Sequence, residues 1–563
     1  MTTAATSPTT APQITMLNPD FPFPYDDFLH HGAGLGTVPA DMYGTEVAVV
    51  GAGMAGLVAA YELMKMGLKP VIYESARIGG RLRAGTPPGQ AGPVADLGGM
   101  RFPASGQSFF HYAQKVGIET QPFPNPLTPA AGSTVIELGG TAHYAETPND
   151  LPAFFREVAQ AWDDALEERS HFAAMQQAIR DRDLPTIKRI WNELVPAFDD
   201  VSFSGYLATS QAFAALAFDY REAFGQVGFG TGGWDTNFPD SFLEILRVVY
   251  VDADANQQRI LGGAQLLPER LWTHAPEDLA HWPAGTSLAT LHGGHPRAGV
   301  TNIKRVHTAA GTPGDIAITD KWGTTTTYPA VIATCQTWLL SARIDVDESL
   351  FSHKLWTAIE RSHYMQSSKT FVVVDRPFWK DIDPATGRRV MSTTLTDRLT
   401  RGTYLLENGD EEPALICLSY TWNDDALKWL PLDAQERMRL MLHSLAQIYP
   451  GVNIASHIVG EPITVSWEDD PNFMGAFSDN LPGHYRYQER LYTHFMQDNF
   501  DAGHRGIYLA GDGVSWTGGW ADGAVTTGLN AVWAVMTQLG GKTHPENPGP
   551  GDRFEELKPL RLS

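Results

Sequence analysis

EVAVVGAGMAGLVAAYELMKMGLKPVIYE, residues 46–74, is the stretch that decides the fold. Four apolar residues, Val47–Val50, read as a buried strand. Gly51, Gly53 and Gly56 then give G-x-G-x-x-G, Leu57–Met66 repeat at helical spacing, and a second strand, Pro70–Tyr73, ends at Glu74, 23 positions after Gly51. The first glycine permits a tight turn and the second lets the backbone approach a pyrophosphate, to which the helix N-terminus offers free N–H groups. Glu74 is placed to accept hydrogen bonds from an adenosine ribose. Gly51, Gly53, Ala55, Gly56 and Glu74 are therefore the expected contacts of a dinucleotide.

The same glycine spacing recurs in GFGTGG, residues 228–233, but with no strand before it and no helix after it, so it reads as a loop. One dinucleotide unit remains. A single unit followed by GGRL, residues 79–82, favours a flavin reduced directly by its substrate, with Gly80 at the turn and the Arg81 guanidinium placed to neutralise the pyrophosphate.

Composition narrows the partners. The chain has 563 residues, 43% hydrophobic and 19% charged, enough for two or three intertwined domains around a large core. Its 41 basic and 64 acidic residues leave a formal charge of −23, which repels nucleic acid phosphates and anionic membranes. No Lys or Arg occurs before Lys65, so no basic export signal is expected and the expected location is cytoplasmic. Cys335 and Cys417 are too few for a disulfide framework or a cysteine metal cluster, and both read as buried thiols away from the flavin motifs. No metal site is expected.

Further along, FPFPYDDFL, residues 21–29, reads as an extended arm that docks by its aromatics, with the outermost dozen residues expected to be disordered. Residues 151–220 carry helical periodicity, as in Phe154, Phe155, Val158, Ala161, Trp162 and Ala165. HPRAGVTNI, DIAITD and YPAVIATC then read as strands. GDGVSWTGGWADGAVTTG, residues 511–528, sets two tryptophans among glycines between a strand and a helix.

The βαβ unit with GGRL, LGGMRFP at residues 97–103, and the late GDGVSWTGGW stretch together resemble the flavin amine oxidase family, which includes L-amino acid, monoamine and polyamine oxidases. Within that family the chain is most similar to lysine 2-monooxygenase and the bacterial basic L-amino acid oxidases, from FPFPYDDFL to HPENPGPGD. The resemblance implies a mixed α/β (α+β) fold: a Rossmann-like FAD-binding domain of the glutathione-reductase type with an interleaved substrate-binding domain and a helical insertion. The expected division is an arm over 1–43, FAD-binding segments over 44–125, 236–340 and 486–545, a helical and substrate insertion over 126–235, a substrate-binding domain over 341–485, and a tail over 546–563.

The resemblance also implies roles. Noncovalent FAD would meet Gly99, Met100, Val300 (at the adenine), Gly511, Asp512 and Ala521, and the helix beginning near Gly523 would point its N-terminus at the flavin ring. Trp520 resembles the aromatic beside that ring, Arg101 the clamp on a substrate carboxylate, and Lys369 the lysine that holds a water against flavin N5. Tyr420, Trp422, Trp467 and Phe473 complete the expected pocket, with Trp467 and Phe473 equally readable as core. A basic side chain would need carboxylates at the far end, for which Asp235, Asp240, Asp252 and Asp254 are candidates; Asn237 and Ala253 depart from the lysine-directed pattern.

The expected function is FAD-dependent oxidation of an L-amino acid, basic in side chain (Lys, Arg or Orn), by hydride transfer from Cα to flavin N5 with O2 as acceptor. It would yield keto acid, NH3 and H2O2, or the decarboxylated amide and CO2, in a homodimeric protein. The alternatives are an amine or polyamine oxidase and an amino acid oxidase for large aromatic substrates.

Overall fold

The computed structural model describes residues 14–86, 92–227, 234–277, 279–407, 409 and 412–562. The outermost dozen residues and the second glycine-rich stretch, 228–233, lie outside the described residues. The centre is a five-stranded parallel sheet in the order Ile507–Leu509, Val331–Ala333, Glu46–Val50, Lys69–Glu74, Arg297–Ala298. Its inner strands are apolar without alternation because both faces are covered, as parallel sheets require. Strands from three distant parts of the chain thus end side by side at Gly51, Thr334 and Ala510.

Close packing at those ends depends on glycine. Gly51 has φ +110°, and a Cβ there would lie 2.6 Å from Thr334 Oγ1. A Cβ on Gly56 would lie 2.0 Å from the Gly51 carbonyl oxygen, so this glycine serves the approach of helix to strand. The helices Met54–Lys65 and Ala521–Gln538 pass through the interior, buried on nearly every face. The arm lies on the second of them: Phe21, Phe23, Tyr25 and Phe28 are buried, and Tyr25 Oη donates to Asn530 Oδ1 at 2.6 Å.

A second sheet has seven strands, in the order Ile458–Ser466, Ser367–Val374, Ala414–Trp422, Gly402–Leu406, Thr393–Thr396, Thr134–Leu138, Thr141–Ala145. Its last two strands come from within 126–235, so that span is not helical throughout. Gly139 and Gly140, at φ 56° and 81°, make the two-residue turn of this hairpin, and Thr134–Leu138 then pairs in parallel with Thr393–Thr396. Helices from Ala153–Ser170 to Phe242–Tyr250 form a separate layer that buries Trp162, Trp191 and Tyr250. Among the described residues no helix is long and apolar enough to cross a membrane, and no group of His, Cys, Asp and Glu could hold a metal ion.

The two central helices meet at Gly528, where a Cβ would come within 2.9 Å of the Ala55 carbonyl oxygen. Since backbone cannot yield cheaply there, Gly528→Ala is expected to destabilise the protein by about 1–3 kcal/mol. Calorimetry should show a lower Tm, and an unchanged Tm would refute the close approach.

Candidate active site and cofactor cavity

A cavity of about 330 Å³ opens where the strand ends, the Ala521–Gln538 helix and the second sheet converge. Its lining includes Gly51, Gly53, Met54, Ala55, Glu74, Gly80, Thr334, Gly511 and Asp512. Glu74 is held in place there, Oε2 accepting from Ala52 N and Oε1 from Ala76 N, both at 2.8 Å. A Cβ on Gly53 would meet nothing within 4 Å, so its backbone faces open space. The Met54–Lys65 and Ala521–Gln538 helices both begin at this cavity without a side-chain cap, leaving first-turn N–H groups to face an anion. Asp522, in the first turn of the second helix, instead accepts from Phe109 N at 2.9 Å. An exposed glycine backbone, a fixed carboxylate and two uncapped helix N-termini fit a flavin dinucleotide.

Arg81 and Asp512 are both in the wall, but bonded to each other: Arg81 Nη1 donates to Asp512 Oδ2 at 2.9 Å and Nη2 to Oδ1. The Arg81 charge is thus shared with Asp512 within the wall. Cys335, expected away from the flavin motifs, lines the cavity beside Thr334, because Val331–Ala333 pairs with Glu46–Val50. Burial pushes its thiol up to about 12. Val300 and Gly56 lie outside the wall; at the sheet edge it is Ala298 that pairs with Glu74.

The same wall includes Gly99, Met100, Arg101, Lys369, Tyr420, Trp422, Trp467, Phe473 and Trp520. Antiparallel pairing of Ser367–Val374 with Ala414–Trp422 sets Lys369 opposite Tyr420, with Nζ 4.6 Å from the ring centroid. Nζ donates to the carbonyl oxygens of Gly98 and, at 3.3 Å, Asp96. Burial lowers this ammonium to about 8. Arg101 is 8% exposed and lies among Tyr420, Tyr404 and Phe123, 5.3, 5.7 and 5.8 Å from their ring centroids. Tyr404 is its hydrogen-bond partner, yet Nη1 is buried without one, and among the described residues Arg101 is in no ion pair. A buried guanidinium with an unfilled Nη1 at a cavity has the donor chemistry that a carboxylate could meet. Trp467 donates from Nε1 to Leu97 O at 3.1 Å and meets Phe473 edge-on at 5.0 Å, so both rings are fixed in the wall.

The acids divide. Asp254 and Asn237 line the cavity, and burial pushes the Asp254 carboxyl up to about 6. Asp235 does not line it, being paired with Arg401 at 3.0 Å, and Asp252 accepts from Gln176 at 2.7 Å. Asp240 is fully buried behind the wall. Two wall carboxylates escape sequence reasoning, Glu244 and Asp479. Burial raises both, Asp479 further through the nearby Asp240 and Glu244. An acid on the apolar face of FLEILRVVY was the available signal for Glu244.

The family described as flavin containing amine oxidoreductase matches residues 54–536 of this chain. The chain belongs to that family. This flavin amine oxidoreductase is 31% identical over 552 residues to the tryptophan 2-monooxygenase of Pseudomonas savastanoi, covering 92% of this chain and 93% of the relative. It is 27% identical to the L-amino-acid oxidase of Mus musculus, covering 89% and 72%. The cyclohexylamine oxidase of Brevibacterium oxydans shares the fold, with a TM-score of 0.61 at 17% identity over 88% of this chain and 100% of that one. Relatives named for tryptophan stand where the motifs resembled lysine-directed members.

Gly53 separates cofactor binding from folding. Its φ and ψ of −77° and −176° suit alanine, and no protein atom stands in the way. Gly53→Ala is expected to keep the Tm of the FAD-free protein and to weaken FAD binding at least about tenfold, because the methyl group occupies the backbone's approach to the phosphates. Fluorescence titration with FAD measures this, and unchanged affinity would contradict the assignment.

Proposed function

We propose that the chain binds FAD noncovalently and oxidises the Cα–N bond of an L-amino acid, with O2 as electron acceptor. The observation that carries this reading is Arg101, a buried guanidinium without an ion-pair partner among the described residues, in the same wall as Lys369 and Trp520. When bound, FAD supplies a ring that takes a hydride equivalent from Cα and passes the electrons to O2. Arg101 holds the substrate carboxylate through parallel N–H donors and so selects which face of Cα is presented. With the α-amine bound neutral, no strong side-chain base is required. Lys369 provides a positive charge where O2 is reduced, and Tyr420, Trp422 and Trp520 keep water out. Release of the imino acid gives keto acid, NH3 and H2O2; retention lets peroxide decarboxylate it to the amide, CO2 and water.

Two readings of the side chain rest on different observations. The relatives' names support a large aromatic side chain, and the rings of Trp422, Trp467 and Phe473 would enclose one. The carboxylates of Glu244, Asp254 and Asp479 in the same wall favour a cationic one.

Arg101→Ala is expected to lower kcat/KM for amino acids at least about a hundredfold. Assayed on tryptophan, phenylalanine, lysine, arginine and ornithine with H2O2, NH3, CO2 and amide quantified, the same enzyme reveals side chain and outcome. Equal kcat/KM in wild type and variant would remove the carboxylate clamp and the proposal with it.

The Lys369 ammonium is charged below about 8 and neutral above it. Stopped-flow reoxidation by O2 is therefore expected to slow as pH rises through about 8, and Lys369→Met to be slow and flat across that range. A pH-independent wild-type rate would exclude the charge as the source of the effect.

A further inference from the structure

The acidic wall of the cavity is tied to the N-terminal arm. Glu244 and Arg247 stand one turn apart on the Phe242–Tyr250 helix, and Arg247 Nη1 donates to Glu244 Oε1 at 2.6 Å. The same guanidinium gives its other edge to Asp20 of the arm, Nε to Oδ2 at 2.7 Å and Nη2 to Oδ1 at 3.1 Å. Asp20 is 0% exposed and Arg247 3%. Glu244 Oε1 also accepts from Asn480 Nδ2 at 2.8 Å, while Oε2 has no hydrogen-bond partner among the described residues. Trp516 and Trp191 hold the guanidinium in place, with ring centroids 4.8 and 5.3 Å from its carbon. The arm fixes Trp516 in turn, Asn18 Nδ2 donating to its carbonyl oxygen at 3.0 Å.

One cation is therefore shared between two carboxylates, and the one it grips bidentately is Asp20, away from the cavity. Glu244 is left partly uncompensated in the wall, near Asp479, whose Oδ1 is buried without a partner and whose Oδ2 accepts from Asn237 at 3.3 Å. We infer that Asp20 is a positioning residue that sets the charge balance of the substrate cavity: by taking the bidentate edge of Arg247 it leaves the acids of the wall, Glu244 and Asp479, short of a cation, which favours a cationic group at the far end of the substrate. This rests on the cationic reading of the cavity given above.

The test compares kcat/KM for L-arginine and L-citrulline, which match in length and differ by one charge, on the FAD-loaded enzyme. Asp20→Asn removes the carboxylate that shares Arg247 and leaves the guanidinium's charge to Glu244, to which it is already bonded, and the arginine-to-citrulline ratio is expected to fall about tenfold, as one charge acting through a partly screened cavity requires. Arg247→Gln removes the cation and is expected to raise the ratio, so either variant carries the test if the other fails to fold. A purely structural arm would lower both substrates together and leave the ratio unmoved, which overturns the inference. Glu244→Gln separates the two levels. If it lowers the ratio and Asp20→Asn does not, the inference fails and the cationic cavity stands; if it leaves the ratio unmoved, or the wild-type ratio is unity, the cationic cavity fails and the inference with it.

Discussion

Parallel pairing of Glu46–Val50 with Lys69–Glu74 on one side and Val331–Ala333 on the other is the constraint on which the rest depends. A parallel strand cannot be joined by a short hairpin, so each neighbour arrives by a long excursion. Those excursions carry the helical layer, the second sheet and the arm's binding surface. Because the strands run the same way, their C-terminal ends collect in one place, and a crevice forms there as in other open α/β sheets. Gly51 and Gly56 let Thr334 and the first helix come near enough to close that end.

The second sheet obeys a different rule, antiparallel pairing. Antiparallel register places Lys369 across from Tyr420, and the same strand runs on to Trp422 at the cavity. The lysine is desolvated there, with two backbone carbonyls as acceptors, which is why its ammonium is weakened. Arg101 arrives from the loop after Ala95–Asp96, so it stands in the same wall as Lys369, Tyr420 and the glycines of the first sheet.

Charge is distributed unevenly around this wall. Where Arg81 meets Asp512, a guanidinium and a carboxylate cancel in place. Among the described residues Arg101 is in no ion pair and Lys369 feels the Asp96 carboxylate without contact, whereas at Glu244 and Asp479 acids exceed the one nearby guanidinium. Such a separation is costly in a buried site without a ligand, and it suits a zwitterionic substrate whose carboxylate meets the cationic side.

How much of this was legible in the sequence follows from the range of the interactions. The turn at Gly51, the acid at Glu74 and the late helix, expected from near Gly523 and starting at Ala521, are local patterns in which backbone geometry dictates residue type, so reading them in order was enough to place the βαβ unit of the parallel sheet. Cys335 in the cavity, Asp235 withdrawn by Arg401, Arg81 spent on Asp512 and the hairpin Thr134–Ala145 joining a sheet more than two hundred residues away were not legible. Each depends on which distant strand or charge lies alongside, and a residue's neighbours across a sheet leave no mark in its own stretch of chain. The sequence by itself determined the turn chemistry and the types of residue available for a flavin and a carboxylate. Only tertiary structure decided which cations keep an open face and which acids reach the cavity, because burial and ion pairing are properties of what packs against a side chain.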